Sequence, residues 1–325
     1  MTVITDPLSI GPVHVRNRLV FPPVALSKAT PQGDATDYHR KHYARIAAAG
    51  VGLVIVEHSY VSPEGRMEAA QLALDDDARI DGLATLAKVI RAEGASAAIQ
   101  LAHAGPKAQP AAPLAPVGPS AVQHPAGGPP PCEMATAEVE ALVECFVSAA
   151  KRAVAAGFEV VEIHAAHGFL LSCFLSPLTN RRTDAYGGDL DRRVRAHVEI
   201  TRAVRAAVGG GVAVIVRLGV DDRLPGGVTL DEGVAAASRL VEAGADAIDV
   251  SGGLCGSRPA DLTGQGFFVP HAEAVKRRVK VPVIGVGGVT EAAAARRFVL
   301  EGRVDAVAVG RHLVAHPEWA REVLG

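Results

Sequence analysis

The stretch RLVFPPVA at residues 18–25 decides between the two folds that the rest of the sequence allows. Its first four residues form a short strand, and Pro22 and Pro23 follow that strand directly. An open, doubly wound sheet ordinarily carries a glycine-rich phosphate loop after its first strand. Two prolines cannot form that turn, because proline fixes φ and lacks an N–H. The stretch therefore favours a (β/α)₈ TIM barrel, with the doubly wound sheet as the alternative.

Short β-branched runs alternate with longer alanine-rich segments of helical spacing along the rest of the chain. A strand, a helix and the next strand connect by a right-handed crossover, so this alternation predicts a parallel sheet. Eight such units close naturally into a barrel. We therefore predict a single barrel domain over residues 1–325, and we expect positive φ at the glycines just past five helix ends. These glycines are Gly50, Gly94, Gly157, Gly244 and Gly302.

The element boundaries follow from the same pattern. The predicted strands are Arg18–Phe21, Val51–Glu57, Ala97–Leu101, Glu159–His164, Val212–Leu218, Ala247–Val250, Val281–Val286 and Ala306–Val309. The predicted helices are Tyr38–Ala48, Ala78–Ala92, Thr136–Ala156, Asp191–Ala207, Leu230–Ala243, His271–Arg278, Thr290–Leu300 and Pro317–Val323.

Composition restricts the partners and the compartment. The formal net charge of −2 gives no field that attracts nucleic acid or an anionic membrane. The longest apolar runs are too short to span a bilayer, and Asp6 and Pro7 interrupt any secretion signal. We expect a cytoplasmic protein that acts on a small molecule, with no nucleic-acid or membrane partner. The sequence is compatible with a homo-oligomer and leaves the oligomeric state open.

The cysteines and histidines do not predict a metal site. The four cysteines lie too far apart for a zinc or iron–sulfur cluster, and we expect each to be a reduced, part-buried side chain. A His-x-x-His pair at His164 and His167 is a possible metal motif, but no third ligand of suitable spacing follows and no glutamate lies between them. We therefore expect no bound metal.

The segment HAAHGFLLSCFLSPLTNRRTDAYGG, residues 164–188, carries the strongest functional signal. His164 and His167 directly follow an apolar strand, so both imidazoles are expected at the mouth of an active site. The residues beyond them are predicted to form an irregular functional loop. A second long segment, Pro106–Pro131, is too rich in proline and glycine for helix or sheet. We expect a loop at about residues 103–133 to cover the active site.

The ends of other predicted strands suggest a flavin site. Gln100 and Arg217 offer an amide and a cation, which suit the pyrimidine edge of a flavin because reduction leaves negative charge there. The last two strands end in glycine-rich turns that contain Gly287, Gly310 and Arg311. Strands seven and eight are where a barrel usually binds a phosphate.

The chain resembles the old yellow enzyme family of FMN-dependent oxidoreductases. The resemblance covers nearly the whole chain, and its motifs occur in order. They are NRLVFPPV (17–24), VEHSYVSPEGR (56–66), IQLAHAG (99–105), the segment that begins at His164, VRLG (216–219), VIGVGG (283–288) and AVGR (308–311).

The resemblance implies that FMN is the cofactor, that NAD(P)H is the reductant, and that His164 and His167 hold a substrate carbonyl over the flavin. Its implied FMN-binding residues are Pro22, Pro23, Val24, Ala25, His58, Gln100, Arg217, Gly287, Gly310 and Arg311. Its implied substrate-binding residues are His164 and His167, with Phe169 and Ser27 at positions where relatives have tyrosines. Lys107, with His103, opens the loop after the third strand, where its side chain contacts either substrate or solvent, and we include it among the substrate-binding candidates.

The sequence departs from the family pattern at several positions. Many members have a tyrosine two residues after the second histidine as proton donor, and here Phe169 has no phenolic proton. Either water, Tyr186 or another residue supplies the proton, or the enzyme does not perform a simple trans-addition of hydrogen. Ala25 replaces the usual threonine or cysteine, which predicts a lower flavin potential, and Ser27 replaces a tyrosine of some bacterial relatives. The chain ends at Gly325, and we do not expect the C-terminal arginine that some relatives insert into a neighbouring site.

Three functions are compatible with these residues. The first is an ene-reductase that passes hydride from NAD(P)H through flavin N5 to the β-carbon of an α,β-unsaturated carbonyl. The second keeps FMN but, because of Phe169, acts as a desaturase, isomerase or reductase/oxygenase on a biosynthetic or aromatic thioester intermediate. The third is a flavin-free barrel lyase or aldolase that uses the histidines as acid and base.

Overall fold

The computed structural model describes residues 1–325 and contains a closed barrel of eight parallel strands. The barrel consists of β3, β4, β5, β8, β9, β10, β11 and β12, in that order around the ring, with β12 paired to β3. The strands in chain order are β1 (Leu8–Ile10), β2 (Val13–Val15), β3 (Leu19–Phe21), β4 (Leu53–Tyr60), β5 (Ser96–Ala102), β6 (Val117–Gly118), β7 (Cys132–Glu133), β8 (Val160–Ala165), β9 (Ala213–Gly219), β10 (Ala247–Ser251), β11 (Val283–Val286) and β12 (Ala306–Ala308).

Helices surround the barrel and connect its strands. None of them combines the length and the apolar character that a membrane-spanning helix requires. The α-helices are α1 (Asp37–Ala48), α2 (Ile80–Ala92), α3 (Thr136–Ala155), α4 (Leu170–Leu175), α5 (Leu190–Arg193), α6 (Arg195–Val208), α7 (Leu230–Glu242), α8 (Val269–Lys276), α9 (Ala292–Leu300), α10 (Arg311–Ala315) and α11 (Trp319–Leu324).

The predicted barrel is confirmed, and all eight predicted strands form it. The five glycines expected past helix ends have φ between 70° and 107°. Several elements were missed, among them the short helix α10, the hairpin β1–β2 and helix α4. The hairpin β1–β2 precedes the barrel, and α4 lies where an irregular loop was predicted. All six residues of α4 are buried, so the helix has no polar face to give its sequence a helical period.

The barrel interior is divided into an apolar lower part and a polar upper part. Successive side chains of a strand alternate between its two faces, so residues two apart share the inside of the barrel. Ala98, Val160, Ile215 and Ala247 belong to one buried apolar cluster, which the hairpin β1–β2 completes. Two residues further along these strands stand four polar side chains, all at most 5% exposed. They are Gln100, Glu162, Arg217 and Asp249.

Strand β4 interrupts this alternation. Its parallel register with β5 shifts between Val56 and Ser59. Beside the shift, Glu57 accepts hydrogen bonds from the N–H of Leu26 at 2.5 Å and pairs with His39 Nε2 at 2.9 Å. Glu57 thus anchors the loop that follows β3 to helix α1, and the next residue of the strand is free to face the barrel mouth.

Arg182 joins the two long loops at the top of the barrel, residues 103–133 and 176–188. Its Nη1 donates to the carbonyls of Pro119 and Met134, and its Nε donates to Asp184 at 3.0 Å. The guanidinium holds the pKa of Asp184 well below its usual range. We refer to this contact as the Arg182 junction.

The loop at residues 103–133 contains more regular structure than predicted. A single 3-10 turn covers Gly105–Lys107, and the short strands β6 and β7 pair in parallel. The expectation that this segment forms neither helix nor sheet was therefore wrong, although both elements are minimal. Cys132 in β7 is exposed and Cys173 in α4 is fully buried, so neither is part-buried as predicted, and all four cysteines are free.

Candidate active site

A cavity of about 810 Å³ opens at the carboxyl ends of the barrel strands. Nearly every residue predicted for the site lines it, although these residues come from all parts of the chain. The predicted residues in its lining are Pro22, Pro23, Val24, Ala25, His58, Gln100, Lys107, His164, His167, Phe169, Arg217, Gly287, Gly310 and Arg311.

Ser27 is the predicted site residue that the cavity does not include. It is exposed, has a φ of 54°, and its hydroxyl donates to the carboxylate of Glu68. The side chain is therefore engaged in holding the loop after β3 rather than directed at the cavity.

Gln100 and Arg217 form the polar floor of the cavity. Gln100 Nε2 donates to Glu162 Oε1 at 2.8 Å, which leaves the carbonyl oxygen of Gln100 as a free acceptor. Arg217 Nε lies 3.3 Å from Asp249 Oδ2, and the terminal nitrogens of this arginine make no protein hydrogen bond. The floor thus presents one amide oxygen and one guanidinium edge.

The two carboxyls beneath these groups share the charge of one arginine. Burial, and then the neighbouring Asp249, raise the pKa of Glu162 to about 8. Burial also raises the pKa of Asp249, while Arg217 opposes that rise. We therefore assign the proton to Glu162 at neutral pH and the negative charge to Asp249, since only Asp249 contacts the guanidinium.

His164 and His167 stand together above this floor, with ring centroids 5.1 Å apart. Burial is the main cause that lowers the pKa of both imidazoles well below the usual value, and the Arg217 charge adds to it. Both rings are consequently neutral, and each carries one N–H. Nδ1 of His164 is buried without a partner, and Nε2 of His167 is bonded to Ser251 Oγ at 2.7 Å. The protein engages neither Nε2 of His164 nor Nδ1 of His167.

The backbone at His167 is unusual. Its φ of 61° lies in the left-handed region, which non-glycine residues seldom occupy. Lys107 Nζ donates to the carbonyl oxygen of His167 at 2.7 Å, and the N–H of His167 donates to Gly252 O at 2.9 Å. These two hydrogen bonds, one at the carbonyl and one at the N–H of His167, fix its backbone and thereby the position of its imidazole.

Phe169 packs edge-on against two histidines of the site. Its ring centroid lies 4.5 Å from that of His164 and 5.5 Å from that of His58. Gln71 Nε2 contacts Nδ1 of His58 at 2.7 Å and donates to its carbonyl at 3.1 Å, which fixes His58 in turn. The aromatic ring is therefore firmly placed, and it contributes packing without a hydroxyl group.

The opposite end of the cavity is built from turns and unpaired cations. Gly287 and Gly310 bring backbone to the surface of the cavity beside Arg311. Arg258 also lines it, and its charge, after burial, lowers the pKa of Arg311. Neither arginine has a carboxylate partner, and no Asp or Glu lines any part of the cavity. This end is suited to bind a phosphate group.

Sequence reasoning missed the roles of Glu162, Asp249 and Arg258. The first two were detectable, because each lies two residues before or after an inward-facing residue on the same strand. No local signal marks Arg258, which comes from the irregular segment after β10.

Tyr186, one of the alternative proton sources, does not reach the cavity. It is 4% exposed and its hydroxyl donates to Glu199 Oε2 at 2.9 Å. The cavity lining does not include it. His103, at the end of β5, is likewise buried outside the lining, with its Nδ1 accepting from the N–H of Gly105 at 3.1 Å.

Comparison with known proteins gives matches along the whole chain. The family model described as "NADH:flavin oxidoreductase / NADH oxidase family" matches residues 4–324. An NADH oxidase of Thermoanaerobacter brockii is 41% identical over 320 residues, which are 96% of this chain and 49% of that protein. An NADPH dehydrogenase of Geobacillus thermodenitrificans is 38% identical over 319 residues, which are 98% of this chain and 92% of that protein.

The fold is also shared with a solved structure of 2-naphthoyl-CoA reductase in complex with 2-naphthoyl-CoA. The TM-score is 0.93 at 28% identity, and the match covers 98% of this chain and 52% of that one. The chain thus spans about half the length of the Thermoanaerobacter protein and of this reductase, but about nine-tenths of the Geobacillus dehydrogenase.

Proposed function

Because the chain belongs to the NADH:flavin oxidoreductase / NADH oxidase family, and is an FMN-dependent NAD(P)H oxidoreductase of the old yellow enzyme type, we propose that it reduces α,β-unsaturated carbonyl compounds. The family, the FMN cofactor and the nicotinamide reductant expected from the motifs are confirmed. In the proposed reaction, bound FMN supplies hydride from its N5 to the β-carbon of the alkene.

The groups in the cavity fit FMN. The free edge of Arg217 and the carbonyl oxygen of Gln100 offer a donor and an acceptor for the pyrimidine ring. The backbone at Gly287 and Gly310, with Arg311, offers donors for the phosphate. The loop that follows β3 supplies an apolar wall for the flavin ring system, and His58 lines the same cavity. The residues of that wall are Pro22, Pro23, Val24 and Ala25.

The neutral imidazole pair is the observation that carries the proposal. When hydride reaches the β-carbon, negative charge develops on the carbonyl oxygen of the substrate. Two fixed N–H groups from His164 and His167 stabilise that charge more strongly than they bind the uncharged carbonyl, so they lower the barrier rather than only the KM. Their freedom from protein partners at Nε2 and Nδ1, respectively, supports this role.

The substrate end of the cavity is the part lined by His164, His167 and Phe169. The loop at residues 103–133 is proposed to cover this end. Lys107, at the start of this loop, is its only residue in the lining. The Arg182 junction holds the rest of the loop against residues 176–188, beside the segment that carries the histidines. Substrate access then depends on the opening of this rim.

Anaerobic visible spectroscopy tests the proposed function. NADPH or NADH added to the purified holoenzyme should bleach the flavin band, and cyclohexenone should then restore it. Restoration should be lost when both histidines are replaced by alanine, while the flavin content stays the same. If NADPH and NADH bleach the band but cyclohexenone and other enones leave it bleached, ene-reduction is excluded.

A second candidate function is the reduction of an aromatic thioester. Phe169, where many family members have a proton-donating tyrosine, favours redirected chemistry, and the similar structure of 2-naphthoyl-CoA reductase contains such a thioester. Desaturation, isomerisation or a reductase/oxygenase reaction on a biosynthetic intermediate belongs to the same alternative. Replacing cyclohexenone by 2-naphthoyl-CoA in the same experiment separates the two, because reoxidation by the thioester alone favours the second candidate.

A further inference from the structure

Reduction of an alkene requires an acid that the usual position does not provide. After hydride reaches the β-carbon, the α-carbon must receive a proton. Phe169 has no acidic proton, and Tyr186 is bonded to Glu199 outside the cavity. Both imidazoles of the histidine pair are neutral and are needed at the carbonyl oxygen. No carboxyl group lines the cavity.

Two other acidic side chains line the cavity, Cys255 and Lys107. The thiol of Cys255 donates to the carbonyl of Asp221, and burial raises its pKa to about 11, whereas Lys107 is bonded directly to the segment that carries the histidine pair. The lysine lines the cavity together with His164, His167 and Phe169. One of its N–H bonds is directed to the carbonyl oxygen of His167 at 2.7 Å. Its Cε also lies close to Gly168, where an added Cβ would approach it to 3.2 Å. The side chain is therefore anchored beside the two residues that flank Gly168.

The ammonium group of Lys107 has donors to spare. An ammonium has three N–H bonds, and the protein uses one of them here. No Asp or Glu forms an ion pair with it, because the lining contains no carboxylate. Two N–H bonds are thus available to a molecule in the cavity.

We propose that Lys107 donates the proton that completes alkene reduction, in place of the phenol that is absent at position 169. This inference rests on the proposed function. The electron pair of the enolate forms the new bond between the α-carbon and hydrogen, and the N–H bond of the ammonium breaks with its electrons left on nitrogen. The neutral amine then takes a proton from water. The two electrons come from NAD(P)H, and the net reaction consumes one alkene, one NAD(P)H and one proton.

The acidity of Lys107 is suited to this step. An ordinary lysine and an ordinary tyrosine have similar pKa values, roughly 10.4 and 10. Burial lowers the pKa of Lys107, and the nearby Cys173 opposes that change only in part. The other titratable groups that face it are the imidazoles of His124, His164 and His167, all held neutral by burial. Burial thus shifts the acidity of the ammonium towards that of an ordinary phenol.

A nitroalkene separates hydride transfer from proton transfer. Hydride addition to its β-carbon gives a nitronate, which is a stable anion with its own ultraviolet absorbance, and protonation then gives the nitroalkane. Single-turnover measurements on the reduced holoenzyme therefore follow flavin reoxidation and nitronate decay as two signals. The variants are Lys107→Met, Phe169→Tyr and the double variant, with Lys88→Met on the exposed face of α2 as the matched control.

In Lys107→Met we expect flavin reoxidation within about threefold of the wild type, and nitronate protonation slower by about 10²-fold. The double variant should recover most of the lost protonation, because Phe169→Tyr restores a phenol. Lys88→Met should match the wild type in both signals. Recovery by a tyrosine is not expected if Lys107 only holds the backbone of His167.

Three results overturn the inference. Nitronate decay that is unchanged in Lys107→Met shows that another acid acts. An equal loss in both signals shows that Lys107 acts through the placement of His167. Wild-type enzyme whose reduced flavin no alkene reoxidises refutes the proposed function itself, and this outcome is distinct because it is seen without any substitution.

The pH dependence gives a second readout. Enzyme-catalysed nitronate protonation should decline as the pH rises through the pKa of Lys107, and burial places this decline below the range of an ordinary lysine. In Lys107→Arg the cation persists at every accessible pH and is a poor acid, so protonation should be slow with no such decline. Protonation in the arginine variant as fast as in the wild type contradicts a proton-donating role.

Discussion

The two ends of the cavity use different means to recognise a ligand. The phosphate end is made of glycine turns after β11 and β12 and of two arginines without carboxylate partners. The substrate end is made of buried, neutral imidazoles, an aromatic ring and one lysine. Charge recognition at the first end depends on backbone and on long flexible cations. The chemistry proposed for the second end depends on single side chains whose protonation is set by burial, so we expect a single substitution there to have a large effect on the rate.

The largest effect is expected at the substrate end. His164→Ala removes one of the two N–H donors to the developing oxyanion, so kcat with an enone should fall about 10²–10³-fold. Steady-state kinetics with cyclohexenone measure this change, and the flavin content should be unaffected. His14→Ala, on the exposed hairpin at the other end of the barrel, is the matched control. If His164→Ala loses bound FMN to the same extent as it loses activity, the two ends of the cavity do not act independently.

A substitution at the phosphate end should change the affinity for FMN rather than the rate of the reaction. Arg311→Ala removes a charge-assisted contact of about 1.5–3 kcal/mol, which corresponds to about a 10–100-fold weaker Kd for FMN. Fluorescence titration of the FMN-free protein gives the Kd, with the exposed Arg278→Ala as control. With FMN at saturation, reoxidation by the enone should return to within a few-fold of the wild type. If reoxidation at saturating FMN stays far slower than in the wild type, the phosphate end also affects the chemistry at the substrate end.

Glu162 tests whether burial controls protonation below the substrate end. Its pKa is raised to about 8 in the folded protein, against an ordinary value of 4.5. The folded state therefore retains a proton that the unfolded state releases, so this contribution to stability is complete below about pH 4.5 and is lost as the pH rises through about 8. Glu162→Gln should remove that pH dependence from the free energy of unfolding of the FMN-free protein.

Urea unfolding at several pH values measures this contribution. The exposed Glu242→Gln provides a control that keeps the buried pair intact. If the pH dependence of stability is the same in Glu162→Gln and in the wild type, Glu162 does not hold the proton.

The smallest expected effect lies between the two ends, at Ala25. A side chain with an S–H or O–H donor there would stabilise the negative charge of the reduced flavin by one hydrogen bond, about 0.5–1.5 kcal/mol. For a two-electron couple this is about 10–30 mV. Ala25→Cys should therefore raise the potential by about this amount in a redox titration, while Ala25→Val should not. Equal potentials for all three proteins would refute the role assigned to this position.

The barrel was predictable because it depends on patterns that repeat. Parallel strands buried on both faces give apolar runs, and amphipathic helices between them give a helical period. Local exceptions were not predictable. Helix α4 is buried on all sides and so lacks a helical period in its sequence. The register shift in β4 lies beside a contact of Glu57 with His39 of helix α1, a residue distant in sequence.

The site residues that could be predicted are those that lie at the carboxyl ends of strands. Gln100, His164 and Arg217 stand at the carboxyl ends of their strands, and the fold alone brings them together. Ser27 was inferred from its position in a family motif, but its contact with Glu68 directs it elsewhere. The protonation of Glu162 and the role of Lys107 depend on burial and on distances between loops, which the sequence does not specify locally.

The Arg182 junction has a consequence for exchanging loops between related enzymes. Arg182 in the loop at residues 176–188 donates to the carbonyl of Pro119 in the other loop and to that of Met134 just beyond it, while Asp184 of its own loop neutralises the guanidinium. A chimera that receives only one of the two loops would leave a buried cation or bare carbonyls at the cavity rim. A chimera that receives both loops together is therefore expected to be more stable than one that receives either loop alone.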